Sequence, residues 1–257
     1  MPEALDLRHY IDAITVLTQK DFKVRYRNSV LGFLWSLLNP LAYMVILTAV
    51  FGLLFRVNIP NYAAWLLTAL LVWRFFSIGT GQGLFSILSN ESLVTKTRLP
   101  RYIIVLANSL ANLIGASLEF VVLFPLLVFL GIGLTSFVFL LPGILILEFL
   151  LVFGVSLSLS SLTVKYRDFN QLWDIALQLG FFLSPIVYNE DLIPPRFRLA
   201  YSLNPITRLI ESARGIFFLA PTPSRFDLIV ITSIIGVFLL LGFVIFRARE
   251  WRFAEEL

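Results

Sequence analysis

Three ionisable side chains stand inside long apolar runs: Arg74, Glu119 and Glu148. A lone charge at a bilayer centre costs about 3 kcal/mol on insertion scales. Such groups pair with one another inside a helix bundle, or they line a path for ions or substrate. Counted from the outer end of each run, all three lie about 15 to 17 Å deep at 1.5 Å per residue, near the middle of a membrane. We therefore expect Arg74 to bond Glu119, Glu148 or both, tying three helices together. A proton relay through the same groups is the alternative. Glu190 and Asp191, beside Asn189, could bind a cation or exchange a proton, but one pair in a loop equally makes a solvated flank.

Other chemistries are not expected. Gly79-Thr80-Gly81-Gln82-Gly83 looks like a phosphate loop only superficially, because it lies inside an apolar run with no strand before it. Glycines at that spacing make a close helix-packing surface. No G-x-x-x-x-G-K-[ST] occurs, so nucleotide binding of the P-loop kind is not expected in this chain. With no cysteine, a single histidine (His9) and no HExxH, neither a disulfide nor a metal centre is indicated.

The elements that position these residues follow from composition. The chain is 58% hydrophobic and only 14% charged, against about 25% charged in a soluble domain. The apolar excess must face lipid, and in lipid every backbone group must be paired internally. The expected fold is an all-α integral membrane protein with six transmembrane helices, near 30–55, 63–88, 102–130, 138–163, 172–188 and 227–247. The fifth is short and ends at Ser184-Pro185, because proline removes a donor and clashes with the preceding turn.

Residues 1–27 have no apolar signal-peptide core. Leu7, Tyr10, Ile11, Ile14, Leu17, Phe22 and Val24 share one helical face, with Arg8, Asp12, Lys20, Lys23 and Arg27 largely opposite. This reads as an amphipathic helix lying in the membrane interface, or else as a soluble helix packed on a partner. Lys20, Lys23, Arg25 and Arg27 should sit at the membrane surface, with the chain passing into lipid near Ser29. Lys and Arg concentrate in the segments that would share a side with the N-terminus, which places both termini inside. The net charge of +4 follows this topology and does not point to nucleic acid.

The single membrane domain then divides into an interfacial helix (1–28), five spans (29–188), an outer helical segment (189–226), a sixth span (227–247) and a cytoplasmic tail (248–257). In the outer segment Asn204 suits an N-cap and Pro205 a first helical residue. Ile206, Leu209, Ile210, Ala213, Ile216 and Phe217 then repeat at helical spacing, with Arg208, Glu211 and Arg214 opposite. A short amphipathic helix is expected there, as a re-entrant hairpin or a lid. The inner loops, 90–101 and Lys165-Tyr166-Arg167-Asp168, serve as topology anchors or as a docking surface. Trp35, Tyr43 and Phe51 recur every eight residues, a drift of about 80° per step, so they approach one face. Aromatic rings of that kind stack on the apolar faces of sugars.

Four stretches carry a family resemblance: RYRNSVLGFLWSLLNPL from Arg25, KYRD from Lys165, FFLSPIVY from Phe181 and YSLNPITRLIE from Tyr201. In this order and spacing they resemble the permease subunits of bacterial polysaccharide ABC exporters, which move lipid-linked O-antigen, capsule or teichoic acid polymers. The resemblance implies a multi-pass protein of the bacterial inner membrane, acting as a homodimer with two copies of a separate soluble ATPase that binds ATP and Mg. It implies a pathway along the first and fifth spans, for which Trp35, Tyr43, Phe51, Phe181, Phe182 and Tyr188 are the candidates. It implies ATPase docking through Lys96, Arg98, Arg101, Lys165, Arg167 and Asp168. It also implies short helices at the outer exit. Two other classes remain open: an ion-coupled secondary transporter using Arg74, Glu119 and Glu148, and a membrane-embedded glycan transferase. The transferase would need catalytic groups in a long loop, and only 185–226 is long enough.

Overall fold

A computed structural model describes residues 7–27, 32–55, 59–97, 99–130, 136–218 and 225–257. Residues 28–31, where the chain was expected to pass into lipid, and Arg98 lie outside the described residues.

The described residues form helices and no strand. Helix α1 (Leu7–Tyr26) precedes α2 (Leu34–Leu47), which continues as wider π-helical turns over Thr48–Leu54. Pro40 sits inside α2 and is buried. Asn61, at φ 51, turns the chain into α3 (Tyr62–Phe85). Asparagine is among the few residues that tolerate this left-handed conformation. There follow α4 (Glu91–Lys96), α5 (Tyr102–Phe129), α6 (Leu141–Lys165) and α7 (Phe169–Leu183). The chain closes with α8 (Arg198–Ser202), α9 (Pro205–Phe218), α10 (Arg225–Arg249) and α11 (Phe253–Glu256).

Five helical stretches among the described residues are long and apolar enough to cross a membrane: Leu34–Gly52, Tyr62–Phe85, Tyr102–Phe129, Val138–Lys165 and Asp227–Glu256. Six were expected. At the expected fifth, α7 has 15 residues, about 22 Å of helix against a hydrocarbon core of about 30 Å. Its end has the anticipated cause. Ser184, before Pro185, is extended at φ −105 and ψ 145, the conformation that a following proline enforces.

The centre of the bundle is α3, which packs on α2, α5, α6, α7 and α9. Ala64, Leu66, Leu67, Thr68, Ala69 and Val72 are wholly buried. Small residues allow the close approach. A Cβ on Gly79 would come within 2.7 Å of Val152, and one on Gly83 would collide with Ser156, both on α6. Gly81, between them, faces open space. The glycine cluster is thus a helix contact built from its first and last members. Gly154 and Gly242 bring α6 and α10 together in the same way.

One apolar cluster joins Ile87, Val94, Val164, Phe246 and Phe253, with Leu17 packed against it. The end of α1, α4, the end of α6 and the C-terminal helices therefore gather at one end of the bundle. The larger cluster holds α3, α5, α6 and α9 together with Ile186 and Val187 at the other end.

Helix α1 packs its polar side on the bundle. Asn108 donates to Asp21 at 3.4 Å, and Arg25 donates to Asn112 at 2.9 Å. Residues one turn apart on α1 thus meet residues one turn apart on α5, so the helices run side by side in one direction. Lys20 donates to Asn90 at 2.6 Å. Buried Thr18 and half-buried Asp21 and Arg25 face the bundle, while Ile11, Val16 and Val24 are exposed. The polar face packs here, because Gln82 of α3, Asn90 after it, and Asn108 and Asn112 of α5 offer amide side chains to it.

Candidate functional site

A groove runs along the side of the bundle between α2, α3 and α7. It has two compartments, of about 610 and 570 Å³, which share Asn39, Arg74 and Ile78. The first is polar and reaches Arg25, Ser36, Gln82 and Glu119. The second is lined by Tyr43, Phe51, Trp73, Phe181 and Phe182 among others.

Arg74 stands where the compartments meet. Its Nε donates to Glu119 at 3.1 Å, and one terminal nitrogen donates to Asn39 at 2.8 Å. The guanidinium so joins α2, α3 and α5. Asn39 is the partner that charge counting along the sequence did not find, since a neutral amide gives no depth signal. Glu148 is a correction. It is fully buried on α6 beside the Phe76 backbone of α3, and among the described residues no side chain bonds either carboxylate oxygen. It does not join Arg74 and Glu119. Residue counting sets depth only: Glu148 meets α3 beside the Phe76 backbone, while Arg74 reaches from α3 to Glu119 on α5 and Asn39 on α2.

Arg25 is the second cation of the polar compartment. It donates to Asn112 at 2.9 Å and to Gln82. Its Nε is buried without a partner. Among the described residues no carboxylate lies within ion-pair distance of it.

Four of the six candidate pathway aromatics converge in the second compartment: Tyr43, Phe51, Phe181 and Phe182. Trp73 joins them, with its ring 5.9 Å from that of Phe181. Trp173 anchors α7 by donating to Thr80 at 3.2 Å and meeting the Phe76 ring edge-on at 6.2 Å. Trp35 lines the polar compartment instead. Tyr188 lines neither. Its hydroxyl donates to the Phe182 carbonyl at 2.9 Å and meets the Tyr201 hydroxyl at 2.8 Å, which pins the end of α7.

Beyond Val187, at the end of the second compartment, α9 packs on α3 and α6. Asn204 caps this helix, accepting from the Ile206 N–H at 3.0 Å, and also donates to Ser184 at 3.2 Å. Arg214 was placed with the polar face of this helix, yet it is 1% exposed. It donates to the carbonyls of Pro185 at 2.7 Å and Ile186 at 3.0 Å, and to Glu211 at 2.8 Å. Its guanidinium lies over the Trp65 ring. Burial pulls the guanidinium down to about 10, which leaves it a cation at neutral pH. Tyr62 adds a bond to the Val187 carbonyl at 2.8 Å. Beside this clamp, a cavity of about 490 Å³ is lined by Glu190, Asp191, Arg198, Arg208, Glu211 and Asp227, among others. Burial, then the nearby Glu211, pushes the Glu190 carboxyl up from its ordinary value. Among the described residues no three His, Asp or Glu side chains gather as metal ligands would.

At the opposite end, Lys96, Lys165, Arg167 and Asp168 are exposed. Lys165 lies 5.1 Å from the Tyr166 ring centre, and Arg249 approaches the same ring. Arg101 differs from this set, because it donates to the Glu250 carbonyl and so ties α5 to the C-terminal segment.

The chain matches the ABC-2 type transporter family over residues 12–218. It is 36% identical to the O-antigen export system permease protein RfbA of Klebsiella pneumoniae, covering 98% of this chain and 97% of that one. It is 30% identical to the RfbA permease of Myxococcus xanthus, over 98% of each chain. It is 21% identical to the polysialic acid transport protein KpsM of Escherichia coli, over 92% of this chain and 93% of that one. A family match across most of the chain, with relatives aligned end to end, fits the bundle and its lateral groove: this chain belongs to the ABC-2 type transporter membrane family.

Proposed function

We propose that this chain is the transmembrane subunit of an ATP-driven exporter that moves a lipid-linked polysaccharide across the bacterial inner membrane. The end-to-end similarity to O-antigen export permeases carries this reading. The groove supports it. Polar groups in one compartment suit hydroxyls and charged groups, and the aromatic rings of the other suit sugar faces. The ion-coupled reading is weakened because Glu148 has no partner in the groove and Arg74 is already neutralised by Glu119.

The whole chain acts as one membrane domain. The sixth crossing is α7 with the buried 184–187 turn, which runs along α3 from Thr80 towards Tyr62. The end that gathers α1, α4 and α11 faces the cytoplasm, so both termini are inside. The short helices α8 and α9 lie at the outer exit, with α9 re-entrant. Exposed apolar side chains on α2 and α7, such as Trp35, Ile46, Ile175 and Phe182, face a second copy of the chain. Two copies of a soluble ATPase, which hold ATP and Mg, dock on Lys96, Lys165, Arg167, Asp168 and the 97–101 segment.

The test is reconstitution of the chain with a candidate partner ATPase. ATP turnover that rises with lipid-linked glycan, together with glycan delivery across the vesicle, is the expected result. ATP turnover by the purified chain alone would overturn the reading.

A further inference from the structure

We propose that Arg25 binds the phosphate head of an amphiphile whose apolar chain lies along the groove. This deepens the exporter reading and rests on the groove being the substrate path.

The charge pattern is the first support. Arg74, Arg208 and Arg214 each meet a carboxylate, at 3.1, 2.7 and 2.8 Å. Arg25 meets only the neutral amides Gln82 and Asn112. Those two fix the guanidinium with no carboxylate of the described residues at ion-pair distance, and its Nε is unused. Glu119 lines the same compartment but is neutralised by Arg74. A planar guanidinium held this way is a strong phosphate partner, since it can offer two parallel N–H bonds.

Depth is the second. Gln82 and Arg74 are eight residues apart on α3, about 12 Å along the axis. If Arg74 marks the midplane, Arg25 lies near the edge of a hydrocarbon half-layer about 15 Å thick. Phosphate headgroups begin at that level.

The third is continuity. From Arg25 the lining passes to Trp35, Leu38 and Ala42, and then to Tyr43, Leu47 and Phe51. That lining offers a cation followed by a mainly apolar track that passes Asn39 and the Arg74–Glu119 pair, a pattern that a phosphate ester on an alkyl chain matches. Its source is either the carrier lipid of the substrate or a bilayer phospholipid.

The test uses the full chain in maltoside micelles, which contain no phosphate. Binding of farnesyl diphosphate, dioleoyl phosphatidic acid, inorganic pyrophosphate and farnesol is followed by tryptophan fluorescence, since Trp35 lines the site. At least one phosphate amphiphile should bind more tightly than farnesol. Its affinity should fall about tenfold in Arg25→Gln, the scale of one lost charge-assisted contact, and be largely kept in Arg25→Lys. Gln82→Glu, which sets a carboxylate beside Arg25, should weaken it similarly and serves where Arg25→Gln does not fold. Preference for farnesyl diphosphate supports the carrier as source, and preference for phosphatidic acid supports a bilayer lipid. The proposal is overturned if neither amphiphile exceeds farnesol, if pyrophosphate binds as tightly as farnesyl diphosphate, or if affinity is unchanged in both Arg25→Gln and Gln82→Glu. Glycan-responsive ATP turnover without amphiphile binding removes this site and leaves the exporter reading. Arg25-dependent binding without such turnover removes only the exporter reading.

Discussion

The Arg214 guanidinium lies 3.1 Å from the centre of the Trp65 ring, joining α9 to the central helix α3. The same guanidinium holds the carbonyls of Pro185 and Ile186, which the break at proline leaves without helical donors. One cation thus solves a backbone problem made by Pro185 and seats α9.

Arg214→Ala should therefore lower the apparent melting temperature in detergent sharply. Loss of a buried, hydrogen-bonded charge of this kind costs about 3 to 5 kcal/mol. Arg214→Lys should rescue little, because an ammonium cannot reach both carbonyls while stacked on the ring. A melting temperature within a degree of wild type for Arg214→Ala would show that the clamp is dispensable.

The Arg74–Glu119 pair predicts non-additivity. Arg74→Ala leaves a buried carboxylate unpaired, at about 3 to 5 kcal/mol, while Glu119→Ala leaves a half-buried cation that keeps Asn39 and so costs less. The double variant should fold better than the sum of the two losses implies. Strict additivity in thermal melts would mean that the pair is not coupled.

Glu148 predicts the opposite sign. Its carboxylate oxygens are buried without side-chain partners among the described residues, so an apolar side chain of similar size removes a desolvation cost. Glu148→Met should melt at or above the wild-type temperature. A marked loss of folded protein would reveal a partner for the carboxyl.

The glycine contacts differ by position. Gly83→Ala should cost about 1 to 3 kcal/mol by overpacking against Ser156, while Gly81→Ala should be tolerated, because nothing lies near its added methyl. Equal yields and melting temperatures for the two variants would contradict the α3–α6 contact.

At the inner end, Arg167→Glu should weaken co-purification with the partner ATPase while leaving the melting temperature near wild type, since Arg167 is exposed. Arg101→Glu should lower the melting temperature instead, because Arg101 bonds the Glu250 carbonyl. Unchanged ATPase recovery with Arg167→Glu would move the docking surface elsewhere.

Local chemistry was legible from the residues alone. Asn204 and Pro205 start α9 where capping rules place it, and Pro185 ends α7. Residue counting put Arg74 and Glu119 at one level, and they meet. Four of the six aromatics chosen for the pathway share one compartment. Direction around each helix was not legible. In water the apolar face of a helix marks the core, but in lipid both the packed and the exposed faces are apolar, so the pattern loses its pointer. Helices α3 and α6 are apolar all round, and only their small-residue contacts, Gly79 on Val152 and Gly83 on Ser156, fix their rotation. That rotation set Glu148 apart from Arg74. The seating of α1 against α5 and of α9 against α3 turned Arg25 and Arg214 inward, although composition had assigned both to polar surfaces. The sequence by itself determined which stretches are helical and how residues are spaced along each axis, because hydrogen bonding and rise per residue are local. Tertiary packing decided which of them face one another, because that depends on the shapes of neighbouring helices.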